Sequence, residues 1–224
     1  MPAGPSGFRD RSLGDFVDRL GSSEPVPGGG SASAVVGSLA AALVAMVAVL
    51  SEGRPRYADH AAVHAWGKEQ GQGLAARLLS LAEEDAAAYL ALTAAMKLPR
   101  ETDAQQVARM KAIRVAARLA AEMPLRCVEA CRSVVAAAEA LAGRSNVHAS
   151  SDLKVAALLG EAAARGAAAN VIVNLPAAGD EVFAARARGR VEDLLADTAR
   201  LAAEAERVVD RGDSRAPRAP GPVP

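Results

Sequence analysis

The chain has 224 residues, enough for one large domain. Half of it, 51%, is hydrophobic and only 3% aromatic, so its core must be built from Ala, Leu and Val, which favours packed helices over sheets. Lys and Arg number 26 and Asp and Glu number 26, which leaves no basic excess for capturing nucleic acid.

The first nine residues read as a disordered N-terminus with no secretory signal. A short helix is predicted over 12–20, with Leu13, Phe16, Val17 and Leu20 on one face and Gly21 as its stop. Then comes Pro25-Val26-Pro27-Gly28-Gly29-Gly30-Ser31-Ala32-Ser33. The prolines keep the approach extended. The glycines permit positive φ and close contact, and Ser31 and Ser33 stand where they can bond the free N–H groups of a helix start. Such a turn suits an anionic or carbonyl oxygen. It is no nucleotide loop, because no Lys-Ser/Thr pair follows the glycines.

The first long helix is expected over 30–51. Residues 34–50 hold only Gly37 and Ser38 outside the apolar class, and that length raises a membrane span. Its Ala and Val content, and the lack of a second comparable run, favour a central bundle helix, among the most buried elements. Gly30, Ala34, Gly37, Ala41 and Ala45 form a stripe of small residues that admits a neighbouring backbone or a flat ligand.

A second long helix fits 57–97. Leu74, Leu78, Leu81, Asp85, Tyr89, Leu92 and Met96 recur at three and four, which puts a carboxylate inside an apolar stripe. His60 and His64 share a face, but no third ligand lies near, so they read as exposed polar residues and no metal is assigned. Thr102 or Asp103 caps a third helix to about 142, which Pro124 is expected to kink or break near Ala120. Cys127 and Cys131, four apart on that helix, read as small buried side chains, and the lack of a disulfide framework fits a cytoplasmic protein.

Ser150 or Ser151 is expected to cap a fourth helix, with Asp152 in its first turn. Asn170 and Asn174 share a face of it among apolar residues, as a buried amide network or a ligand contact would require. Pro176 and Gly179 end that helix. A last one follows to about 209, and 211–224 reads as a disordered tail. The fold class is therefore all-α, an up-and-down bundle of about five long helices within one domain over 10–210.

These residues, taken together, resemble the cyclodeaminase/cyclohydrolase family. The likeness rests on Phe16-x-x-x-Leu20 before the PxPGGGS stretch, Glu84-Asp85-Ala86-x-x-Tyr89, Lys97-Leu98-Pro99 and Met123-Pro124-Leu125. It continues in Asn146-x-x-x-x-Ser151-Asp152 and Ala169-Asn170-x-x-x-Asn174-Leu175. The loop Ser145-Asn146-Val147-His148-Ala149 departs from the family's usual Gly-Asn-x-Asn-Ala.

The resemblance implies a homodimer that binds folate in a cleft near its interface. The implied reaction is hydrolysis of 5,10-methenyltetrahydrofolate to the 10-formyl form, with no cofactor beyond the folate substrate. The sister reaction, ammonia elimination from the formimino form, needs nearly the same site. A non-catalytic folate- or protein-binding dimer is the alternative of another class.

On this reading Asp85 is the candidate base, with Asp152 next. Pro27, Gly28, Gly29, Gly30 and Ser31 hold the folate. Asn146 also binds it, Asp152, Asn170 and Asn174 position it, and the small-residue stripe gives its ring room. Lys97 and Arg100 meet the carboxylates of its tail. Lys97 lies about 18 Å from Asp85 along a continuous helix, so it binds the tail or serves a partner's site.

Overall fold

A computed structural model describes residues 7–219. Most of them lie in six helices: α1 Leu13–Leu20, α2 Gly29–Ser51, α3 Ala61–Met96, α4 Asp103–Leu141, α5 Ser150–Ala178 and α6 Glu181–Arg211. There is no strand among the described residues. Short connections join the five long helices into an up-and-down bundle. Within it α2 packs between α3 and α5, α4 lies behind them, and α6 closes the far side against α4 and α5.

The helix starts follow from their side chains. Ser12 accepts from the Asp15 N–H, Thr102 and Gln105 form a capping box, and Asp180 accepts from the Phe183 N–H. The cap predicted at Ser150 or Ser151 does not form. Ser150 is already helical and its hydroxyl bonds back to the Val147 carbonyl, so no side chain caps α5.

The small-residue stripe of α2 is filled by protein. A Cβ on Gly71 of α3 would lie 2.6 Å from the Ala45 backbone nitrogen, and one on Gly37 2.8 Å from the Cys131 sulfur. Backbones of α2 and α3 meet there, so the stripe leaves no room for a flat ring except at its Gly30 end. Cys127 and Cys131 are buried, as read from sequence.

The opposite face of α2 is open. Val35, Val36, Leu39, Leu43, Met46, Val49 and Leu50 form an outward apolar stripe, with Leu39 51% exposed. Only half of the most apolar window of α2 is therefore buried. The segment Val147–Ala178 is also long and apolar enough to span a membrane, a second such run that the sequence reading did not find.

Four other expectations change. Helix α4 runs unbroken through Pro124, because the carbonyl of Ala120 that the proline cannot serve accepts instead from Asn174 Nδ2 at 3.0 Å. Pro176 sits inside the last turn of α5, and left-handed Gly179 alone ends that helix. His64 is buried, its Nε2 donating to the Arg144 carbonyl at 2.9 Å, because the 143–146 turn folds back over α3.

The tail is the fourth. Arg215 and Arg218 pair with Glu139, which is buried on α4, and the Arg215 N–H donates to the Gly143 carbonyl. The described part of the tail is thus held along the bundle. At the other end, the Phe8–Asp10 turn packs its Phe8 ring edge-on to Phe16, centroids 5.5 Å apart; residues 1–6 and 220–224 of the expected disordered ends lie outside the described residues.

Two glycines two residues apart on α3 test the packing. Gly71→Val forces α2 and α3 apart and is expected to cost about 1–3 kcal/mol or more. Gly73→Ala meets nothing within 4 Å and is expected to stabilise by about 0.5–1 kcal/mol. Urea unfolding of both variants checks the pair.

Candidate functional site

Helix α2 begins with Gly28 at its cap, and no side chain of its own closes the turn. The Ser33 hydroxyl donates to the Gly29 carbonyl at 2.8 Å. The Ser31 hydroxyl points to α3, where the Ala82 carbonyl lies at 3.0 Å and Asp85 Oδ2 at 3.2 Å. Asp85 stands beside this first turn, where both the hydroxyl and the backbone N–H of Ser31 favour its ionised form. A carboxylate from α3 therefore meets the positive end of α2.

That approach makes unequal demands on the glycines. A Cβ on Gly30 would lie 2.6 Å from the Asp85 carboxyl carbon, and on Gly29 an ordinary 3.6 Å from Asn170 Nδ2. Nothing lies within 4 Å of a Cβ on Gly28. None of the three has positive φ. Gly30 is required for closeness, and the positive φ that the glycines permit is not used. Pro27 is buried behind a cis Val26–Pro27 peptide, outside the cavity lining.

In front of Asp85 lies a cavity of about 240 Å³. The glycine turn forms one wall, Asp85 and Tyr89 of α3 a second, and Ala120 of α4 with Asn170 and Asn174 of α5 a third. Asn170 Nδ2 donates to the Gly166 carbonyl at 2.9 Å. Asn174 Nδ2 donates to the carbonyls of Ala120 at 3.0 Å and Asn170 at 2.9 Å.

No Lys, Arg or His is among the described lining residues. Burial pushes the Asp85 carboxyl above the usual carboxylate range, and the Ser31 hydrogen bonds only partly oppose it. The wall offers oxygen acceptors and backbone N–H groups, with the Asp85 carboxyl and the Tyr89 hydroxyl able to move a proton.

The other sequence-chosen residues lie elsewhere. Asp152 is 18 residues before Asn170 on α5, about 27 Å along one continuous helix. Asn146 is anchored at the far end of α2, its N–H donating to Ser51 Oγ at 2.8 Å. Its loop borders a separate cavity of about 190 Å³ beside His60 and the 212–214 segment. Lys97 and Arg100 stand exposed past the end of α3. Pro25, Val26, Tyr89 and Ala120 line the cavity without having been read as site residues, and of these Tyr89 sits one turn beyond Asp85 on the same face.

Residues 12–193 match the family model described as formiminotransferase-cyclodeaminase. The chain belongs to this family. It is 37% identical over 192 residues to the methenyltetrahydrofolate cyclohydrolase of Methylorubrum extorquens, covering 86% of this chain and 92% of that protein. With the formimidoyltransferase-cyclodeaminase of Rattus norvegicus it shares 34% identity over 194 residues, 87% of this chain but 36% of the relative. A crystal structure of formiminotetrahydrofolate cyclodeaminase from Thermotoga maritima superposes with a TM-score of 0.82 at 25% identity, over 91% of this chain and 98% of that one. The resemblance read from the motifs and the all-α bundle are both borne out.

The raised Asp85 gives stability a definite pH dependence. Between the ordinary carboxylate range and its raised folded value, the folded chain holds a proton that the unfolded chain has released. Asp85 therefore makes stability fall as pH rises through that window. Asp85→Asn is expected to remove this slope and to melt no lower than the parent at neutral pH. Urea midpoints measured across a pH series on both proteins check the sign.

Proposed function

We propose that this family member hydrolyses 5,10-methenyltetrahydrofolate to 10-formyltetrahydrofolate in the cavity around Asp85. The observation that carries the reading is a carboxylate without a cationic partner among the described residues, at the wall of a cavity opened by an uncapped glycine turn. A cavity of about 240 Å³ is below the roughly 300–1,000 Å³ of pockets for drug-sized ligands. It suits the ring head of a folate, with the tail running outside toward Lys97 and Arg100.

The methenyl carbon is the centre of a cationic amidinium, which an unpaired carboxylate stabilises. Water adds to that carbon, forming a C–O bond, while Asp85 takes a proton from the water. The adduct is neutral. Its C–N5 bond then breaks, Asp85 returns the proton to N5, and the adduct's hydroxyl proton leaves to solvent as the formyl C=O forms. The chemistry asks for no cofactor beyond the folate, and we place it in the cytoplasm. A cyclodeaminase is the second reading, favoured by the Thermotoga neighbour, since ammonia elimination passes through the same cation.

We also propose a homodimer closed through the outward stripe of α2, with Val155, Leu158 and Ile172 of α5 beside it. Asp152 and Asn146 lie too far from Asp85 to join its site within one chain, so they contribute only across such an interface. A double variant, Leu39→Arg with Met46→Arg, is expected to give a monomer mass by light scattering where the parent gives a dimer.

The function is tested by the absorbance decay of methenyltetrahydrofolate with purified protein, beside an ammonia-release assay on the formimino substrate. Asp85→Asn keeps the shape and is expected to lower turnover by about 10²–10⁴ with folate binding nearly retained. Parent-like turnover in a folded, folate-binding Asp85→Asn would remove Asp85 as the base.

A further inference from the structure

Pro124 is buried in the middle of α4, where a proline forfeits a helix hydrogen bond. Its missing N–H leaves the Ala120 carbonyl, on the cavity wall, without an intrahelical partner. We propose that Pro124 is a positioning residue for substrate binding. The carbonyl it leaves open captures one N–H of Asn174, and this turns Asn174 Oδ1 into the cavity as an acceptor for an N–H donor on the substrate's ring head. The inference rests on the folate reading above.

The hydrogen bonds fix the orientation of the amide. Asn174 Nδ2 faces two carbonyl oxygens, Ala120 at 3.0 Å and Asn170 at 2.9 Å. Only an NH₂ group satisfies both, so the oxygen must be the atom turned away from them. One anchor lies on its own helix and the other on α4, so the amide is held from two sides. Asn170 provides the internal contrast, because its Nδ2 has the Gly166 carbonyl alone.

A repaired α4 leaves the wall with an oxygen acceptor near Asp85. The ring N–H and amino groups of a pterin are donors of the matching kind. An ordinary residue at 124 would bond Ala120 itself and leave the amide with the Asn170 carbonyl as its one anchor, as Asn170 has Gly166.

The test separates repair of the helix from positioning. Pro124→Ala restores the N–H and takes the α4 anchor from Asn174, so the melting temperature is expected to stay level or rise. Affinity for 5-formyltetrahydrofolate, which has no methenyl bridge to hydrolyse, is expected to fall on the order of tenfold, as for one lost hydrogen bond. KM for the methenyl substrate should rise similarly with kcat nearly held. Asn174→Leu removes the acceptor, and the Pro124→Ala/Asn174→Leu double variant is expected to bind no worse than Asn174→Leu alone.

Unchanged affinity and KM in Pro124→Ala would overturn the proposal, leaving Asn174 as a helix repair only. That arm decides even if Asn174→Leu fails to fold. Failure of the parent protein to bind 5-formyltetrahydrofolate would instead overturn the folate reading, and this assignment with it.

Discussion

The site depends on one contact between elements: the Asp85 carboxylate of α3 set against the uncapped start of α2. A helix start carries free N–H groups and partial positive charge, and here the acceptor is delivered by another helix. Delivery at this range needs Gly30 without a side chain and the α2 and α3 backbones close together, as Gly71 beside Ala45 makes them. The alanine and glycine content that looks like bland core composition is thus what brings the carboxylate to its place. Burial wins over the Ser31 hydrogen bonds, so the contact costs some stability in its ionised form and keeps a proton within reach.

Much of the bundle was legible because its rules are local. A cap at Thr102, a stop at Gly179 and apolar spacing at three and four are read within a turn or two of chain. The misreadings share a different cause, a partner far away in sequence. Pro124 reads as a break because its remedy, Asn174, is on the next helix. Arg215 and Arg218 read as tail charges because Glu139 is hidden on α4. His64 reads as exposed because the turn that covers it begins at Gly143.

The site was legible in a similar proportion. Asp85 and the two asparagines stand out as polar residues on apolar helix faces, and the structure brings them to one cavity. Which glycine is indispensable was not readable, since it depends on how near α3 comes. Asp152 and Asn146 were grouped with them through motif order in the family, and order carries no distance. For Asp152 the rise of a continuous helix already argues against sharing a cavity with Asn170 in one chain.

The charge arrangement sets Asp85 apart from two other carboxylates of the bundle and supports the role proposed for it. Asp197 is also partly buried, but hydrogen bonds from Arg132 and Arg200 override that burial and hold it below the ordinary range. Glu139 is more buried than either, and is tied to Arg215 and Arg218. Asp197, so held, is a poor proton carrier, because its partners stabilise only the ionised form. Asp85 has hydroxyl and amide donors in place of a cation. It can therefore hold a proton taken from water and release it to a leaving nitrogen, while its negative charge remains available to a cationic carbon. On the proposed reading, hydrolysis and ammonia elimination both ask for that combination, so one arrangement of groups would serve either reaction named among the relatives.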